Sequence, residues 1–115
     1  MTGTSIDGAA FEELQQTAGA EFVTELVDTF LTEAPLMLAE LRSALADGNG
    51  DRFRRAAHSL KSNSNTFGAT ALGAMARELE LTAADRVAAG DTHALDALAE
   101  EYGRVAAALK ELSRA

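Results

Sequence analysis

The chain has 115 residues, a length that suits one domain with a modest core. Its 18 acidic and 10 basic residues give a formal charge of −8, which argues against general nucleic-acid binding and against docking on anionic membranes. Cysteine is absent, which excludes disulfides, thiolate metal sites and thiol nucleophiles. Residues 1–19 do not resemble a signal peptide, and no apolar stretch approaches the roughly 18 residues that span a bilayer. We therefore expect a soluble, cytoplasmic protein that acts as a monomer.

Helix is favoured along the whole chain, because Ala, Leu, Glu and Arg dominate and only one proline occurs. Residues 1–6 are predicted to form a loose N-terminus. A short capping helix is predicted over residues 7–17, ending before Gly19. The chain as a whole, residues 1–115, is predicted to be a single domain.

A long second helix is predicted over residues 20–47. Its apolar residues recur every three or four positions, which is typical of one buried stripe: Phe22, Leu26, Phe30, Ala34, Leu38, Leu41 and Leu45. Pro35 falls inside it, and because proline lacks the backbone donor we expect a kink or a break near Thr32. Leu36 and Met37 are interpreted as core residues, with an exposed docking patch as the alternative.

Three further helices follow, over residues 52–66, 70–89 and 92–113. Glycines mark the boundaries: the Gly-Asn-Gly-Asp segment 48–51 predicts a helix stop followed by an N-cap, and Gly68 predicts a second stop. Short loops between long helices force neighbours to run antiparallel. The predicted fold is all-α, an up-down-up-down four-helix bundle over residues 20–113 with a short additional N-terminal helix.

The third helix separates an apolar face from a polar one. On a helical wheel, one side collects its apolar and small residues: Phe53, Ala56, Ala57, Leu60, Ser64 and Phe67. His58 lies about 140° from the centre of that side, at about 100° per residue. Arg54, Lys61, Ser62 and Asn65 share its side of the helix. His58 is therefore predicted to face solvent, within reach of residues three and four positions away.

This arrangement suits phosphoryl acceptance. A neutral imidazole is a nucleophile near neutral pH, and an exposed one can meet a donor carried by another macromolecule. Lys61 and Arg54 are candidates to neutralise the phosphoryl oxygens, and Ser62 is a candidate hydroxyl donor. From geometry alone, an ordinary surface histidine among surface charges is an equally good interpretation.

A resemblance to a known family favours the first interpretation. Residues 57–69, AHSLKSNSNTFGA, together with the later pair Leu79-Glu80, resemble the signature of histidine-containing phosphotransfer (HPt) domains. In that family a helix carries His-x-Leu-Lys-Gly or a close variant, a glycine ends the helix, and a Leu-Glu pair follows on the next one. Residues 30–35 and 41–45 also resemble the family's preceding helix.

The resemblance implies a helical bundle in which His58 is phosphorylated and Lys61 is the cation beside it. Ser62 stands where the family often has glycine. Receiver domains would dock over the third helix, with Arg55 and Asn65 as the predicted docking residues. Glu80 is interpreted as a surface or capping contact of its helix.

The function implied by the resemblance is that of a phosphorelay intermediate. His58 would accept a phosphoryl group from a receiver aspartate and pass it to another receiver, with response-regulator receiver domains and a hybrid sensor histidine kinase as partners. We expect a carrier without kinase activity, with no cofactor and no metal site of its own, because any metal ion for this chemistry would belong to the receiver. His93 is interpreted as an ordinary surface residue.

Two other functions remain open. The chain could be a helical adaptor that binds partners without chemistry, or the phosphoacceptor domain of a chemotaxis-type kinase, charged directly by a kinase domain. Whether it is free-standing or part of a larger hybrid kinase is also open.

Overall fold

Helices make up the regular structure of residues 5–114, which are the residues that the computed structural model describes. In chain order they are α1 (Gly8–Ala18), α2 (Ala20–Asp47), α3 (Gly50–Thr66), α4 (Thr70–Leu81), α5 (Ala83–Ala89) and α6 (His93–Arg114). The helices α2 and α4 each pack against both α3 and α6, so the four surround one cluster of buried apolar residues, while α1 packs against α2. The predicted all-α four-helix bundle with an additional N-terminal helix is confirmed.

The single helix predicted over residues 70–89 is wrong, because Thr82 divides it into α4 and α5. The backbone of Thr82 leaves the helical region, with φ −114° and ψ 23°. Its hydroxyl donates to the Glu78 carbonyl at 2.7 Å, and such a bond to the preceding turn bends helices. Arg86 Nε donates to the same hydroxyl at 3.1 Å. The helix therefore changes direction at a threonine that carries no glycine or proline signal.

Near Thr32, where the sequence predicts a kink or a break, there is no break, because α2 runs through Pro35 without interruption. Proline cannot donate to the carbonyl four residues earlier, which is that of Leu31. The hydroxyl of Tyr102 on α6 donates to this carbonyl instead, at 3.4 Å. Burial raises the pKa of the Tyr102 phenol, so the hydroxyl keeps its proton at neutral pH. A side chain of another helix thus compensates for the donor that proline removes.

The buried stripe of α2 is displaced from the predicted one in its first half. Val23 and Val27 are buried, whereas Phe22, a predicted core residue, is 53% exposed. A stripe that advances by four residues at each step drifts around the helix, since a turn takes 3.6 residues. From Phe30 onward the stripe agrees with the prediction, with Ala34, Leu41 and Leu45 buried.

The start of α3 is held firmly against the end of α2. Gly48 ends α2 in the left-handed conformation, and the Asn49 side chain caps α3 by accepting from the Arg52 amide at 3.0 Å. The Arg52 guanidinium donates to Glu40 at 2.8 and 3.0 Å and to Asp47 at 2.8 Å. These contacts set the position of α3 relative to α2.

At the other end of α3, the turn at Gly68 receives the N-terminal segment. The Asp7 amide donates to the Gly68 carbonyl at 2.8 Å, and the Asp7 carboxylate caps α1. Ile6, assigned from the sequence to the loose N-terminus, is buried in the core, while residues 1–4 lie outside the described residues. Gly68 has φ +78°, and a Cβ there would lie 3.0 Å from Ala10 Cβ and 3.2 Å from the Asp7 carbonyl oxygen.

Replacing Gly68 with alanine is expected to lower the free energy of unfolding by about 2 kcal/mol. The left-handed backbone alone costs roughly 1–2 kcal/mol for a residue with a Cβ. The close contact of the new Cβ with Ala10 adds to this cost. Gly48→Ala is the matched control, since Gly48 has φ +70° but open space around its Cβ position. Urea unfolding of both variants measures the difference. Equal losses in the two variants would show that the contact with α1 contributes nothing.

Candidate functional site

His58 lies on the exposed face of α3. The residues assigned from the helical wheel to the opposite, core face are all buried: Phe53, Ala56, Ala57, Leu60, Ser64 and Phe67. The His58 side chain is 55% exposed, so a macromolecule can reach the ring. The wheel therefore placed this residue correctly.

Glu80 on α4 joins His58 to Lys61. One carboxylate oxygen lies 2.8 Å from His58 Nδ1, and the other lies 2.9 Å from Lys61 Nζ. The Glu80 side chain is only 17% exposed. The ammonium of Lys61 and then the imidazole of His58 hold the pKa of the Glu80 carboxyl below its ordinary value, so the group is ionised at neutral pH. Glu80 is thus part of the site rather than a contact of its own helix alone.

The contact with Glu80 determines which ring nitrogen of His58 is free. An ionised carboxylate can only accept a hydrogen bond, so Nδ1 is assigned the hydrogen. In the neutral ring Nε2 then holds the lone pair. The same contact also orients the ring, much as carboxylates orient imidazoles at metal and catalytic sites.

Arg54 and Arg55 both turn toward Asp51, at the start of α3. Their guanidinium groups lie 2.8 Å from its two carboxylate oxygens, and together they lower the pKa of the Asp51 carboxyl. Within residues 5–113, Arg54 makes no hydrogen bond or ion pair with His58. Two cations share this carboxylate, whereas the neighbouring Arg52 pairs with two carboxylates, so the ion pairs at this end of α3 balance in charge.

The remaining predicted residues, Ser62 and Asn65, are both exposed on α3. The Ser62 carbonyl accepts from the Thr66 hydroxyl at 3.1 Å. The Asn65 side chain lies against Gly73 of α4, where a Cβ would collide with its amide oxygen. Gly73 therefore permits the close approach of α4 to α3 that brings Glu80 to His58.

An open groove lies between α2 and α3, on the other side of His58 from Glu80. Its lining includes Leu36, Met37, Arg55 and Ser59. Leu36 is 65% exposed, so the interpretation of this residue as core is wrong, while the half-buried Met37 does pack against the core. Leu36 lies outside the buried stripe of α2. The groove thus combines apolar side chains with charged groups of both signs, since Glu33, Glu40 and Arg52 also line it.

Other polar residues lie apart from this site. His93 is exposed at the start of α6, where its amide donates to the Asp91 carboxylate at 2.9 Å. Glu101, in contrast, is buried and paired with Arg104 at 2.9 Å. Within residues 5–114 there is no cluster of three or more His, Cys, Asp or Glu side chains that could hold a metal ion, and none of the helices is both long and apolar enough to cross a bilayer.

Comparisons with known proteins agree with this geometry. The model of the family described as the Hpt domain matches residues 25–114. The crystal structure of histidine-containing phosphotransfer protein B (HptB) from Pseudomonas aeruginosa PAO1 superposes with a TM-score of 0.83 and 26% sequence identity, covering 98% of this chain and 97% of that one. A search of the curated proteins found no match. With an exposed histidine on the third helix of a helical bundle and a family match over most of its length, this chain belongs to the Hpt domain family of histidine phosphotransfer modules.

Proposed function

We propose that this chain carries a phosphoryl group on His58, accepting it from the aspartyl phosphate of one receiver domain and passing it to the aspartate of another. The observation that carries this proposal is the contact of an exposed His58 ring with the ionised Glu80 carboxylate through Nδ1. That contact leaves Nε2 as the outward nucleophile.

In the accepting step, the Nε2 lone pair attacks the phosphorus of the aspartyl phosphate. The N–P bond forms as the P–O bond to the aspartate breaks, and the aspartate leaves as a carboxylate. The ring keeps its Nδ1 hydrogen and becomes a cation, whose charge is balanced by Glu80 at 2.8 Å. A prepositioned carboxylate stabilises this cation without having to move as the charge develops.

The same contact serves the step in the opposite direction. When a second receiver's carboxylate attacks phosphorus, the N–P bond breaks and its electron pair returns to Nε2. Because Nδ1 still holds its hydrogen, His58 leaves as a neutral imidazole rather than as an anion. A carrier needs this reversibility, and it needs neither a nucleotide site nor kinase activity of its own.

The receiver is proposed to dock over α3 and the groove beside it. Leu36 offers an exposed apolar contact, and Arg55 and Asn65 are exposed polar neighbours. The exposed guanidinium of Arg55 complements the carboxylates that a receiver uses to hold its phosphorylated aspartate. Ser62 is small enough to let the receiver approach, and Lys61 can turn from Glu80 toward the phosphoryl oxygens. In this proposal residues 1–115 form one domain that works as a monomer in a relay that begins at a hybrid sensor histidine kinase.

Labelling of the purified chain tests the proposal. Incubation with a ³²P-phosphorylated receiver should give a label that is lost in acid and stable in base, as expected for phosphohistidine. Mass spectrometry of the intact peptide should place the group on His58. A helical adaptor would bind the receiver and take no label, and a module charged directly by a kinase would be labelled by kinase and ATP without a receiver.

A further inference from the structure

One edge of α4 faces α3 along its length, and it contains an arginine that the sequence signature does not use. Gly73 meets Asn65, and Glu80 meets His58 and Lys61. These two residues of α4 are seven positions apart, which places them on one stripe of the helix. Arg77 lies four residues after Gly73 and three before Glu80, on that same stripe.

The register of α3 and α4 determines which residues of α3 lie opposite Arg77. The helices run antiparallel, with Gly73 opposite Asn65 and Glu80 opposite Lys61 and His58. Arg77, which lies between Gly73 and Glu80, is therefore level with Lys61 and Ser62. That level is about one turn, or 5.4 Å, from His58, and the Arg77 side chain is exposed on the solvent side of the seam.

Arg77 differs from the other cations of this surface because it has no ion pair within residues 5–113. Arg52 is paired with Glu40 and Asp47, Arg54 and Arg55 share Asp51, and Lys61 is paired with Glu80, with the closest N–O distance of each pair between 2.8 and 2.9 Å. Among residues 5–113, no carboxylate lies within 4.0 Å of the Arg77 guanidinium. It is thus the cation on the α3–α4 seam whose charge no neighbouring side chain cancels.

We propose that Arg77 binds the phosphoryl oxygens on His58 while the group is transferred; this inference rests on the proposed function. The incoming group carries about two negative charges and arrives beside the ionised Glu80, which already neutralises Lys61. A further cation is needed to offset that repulsion. A guanidinium donates two parallel hydrogen bonds to phosphoryl oxygens, which a single ammonium cannot do.

Arg77→Gln tests the inference, with Lys110→Gln as the control. Lys110 is exposed on α6, which packs against α2 and α4 rather than α3, and it likewise has no ion pair among residues 5–113, so its loss changes the net charge equally. Single-turnover transfer from a phosphorylated receiver is measured over a range of receiver concentrations. We expect Arg77→Gln to lower the maximal rate constant roughly tenfold to hundredfold, the loss of a charge-assisted contact, and Lys110→Gln to stay within about twofold.

Two outcomes would overturn the inference. One is an unchanged maximal rate constant in Arg77→Gln. The other is a rise in the half-saturating receiver concentration alone, which would assign Arg77 to receiver docking instead of to the phosphoryl group. A parent chain that takes no label on His58 would overturn the proposed function as well, so the two failures are distinguishable.

A second measurement needs no receiver. Phosphoramidate is a small-molecule donor that phosphorylates histidine, and NMR of the labelled parent chain should show the Arg77 Nε–H signal shifting on phosphorylation of His58. In a His58→Gln chain treated in the same way, the signal should not move. An Arg77 signal that is identical before and after phosphorylation of the parent would contradict the inference.

Discussion

A chain with His58→Gln is expected to accept no phosphoryl group from a phosphorylated receiver. Glutamine preserves the size and polarity of the exposed side chain but has no nucleophilic nitrogen, because the amide lone pair is delocalised. His58 is 55% exposed and contributes no packing to the core, so the variant should fold as the parent does. Labelling should fall to the background of the assay.

His93→Gln is the matched control for this experiment. His93 is the other histidine of the chain, and it is also exposed, but it stands at the start of α6. The control should be labelled as strongly as the parent. Labelling of His58→Gln at the parent's level would refute the phosphocarrier function, and loss of the label in His93→Gln would move the phosphorylated site to α6.

Glu80→Ala is expected to slow phosphotransfer roughly tenfold to hundredfold, through loss of one hydrogen bond to a charged group. Without the carboxylate, Nδ1 no longer holds its hydrogen preferentially, and the cationic ring that forms on phosphorylation loses its counter-charge. Glu80→Gln should fall less far, because its amide oxygen can still accept from Nδ1. The single-turnover rate constant at saturating receiver measures both effects.

The control for Glu80 is Glu78→Gln on the same helix. Glu78 is exposed and lies 3.9 Å from Arg86, on another face of α4, so its charge can be removed without touching His58. Removal of Glu80 also releases Lys61, which could then approach the phosphoryl group and raise the rate. A Glu80→Ala chain that transfers as fast as the parent would contradict the role proposed for Glu80 in transfer.

NMR of the His58 ring tests how Glu80 orients the ring, separately from the effect of the Glu80 charge on transfer. In the parent, the nitrogen shifts should report the hydrogen on Nδ1, as inferred from the Glu80 contact. In Glu80→Ala the two tautomers should exchange, with a larger share of the hydrogen on Nε2. Glu78→Gln should leave the ring signals unchanged.

Much of this molecule is predictable because helical periodicity is a local property. The core face of α3 and the exposed position of His58 follow from the spacing of six small and apolar residues within a single helix. The stops at Gly48 and Gly68 follow from the left-handed backbone that glycine adopts readily at the end of a helix. These features depend on residues within a few positions of one another, which is the range over which sequence patterns carry information.

Other features depended on which helix packs against which. Thr82 bends the chain through its own hydroxyl, and Tyr102 supplies a donor to the Leu31 carbonyl that Pro35 leaves open. Neither effect has a periodic signal, so the sequence predicted one helix where there are two, and a kink or a break at a point where α2 is continuous. The exposure of Leu36 follows from its position, since it lies about 200° around the helix from the buried Ala34.

The amino-acid sequence by itself determined that the chain is helical, that His58 faces solvent, and that Lys61 accompanies it at helical spacing. Only the tertiary structure decided that Glu80, 22 positions after His58, binds both His58 and Lys61. The physical reason is the closeness of α4 to α3, which Gly73 permits by having no side chain where Asn65 lies. A carboxylate that appears in the sequence as an ordinary surface residue thereby orients the proposed phosphoacceptor.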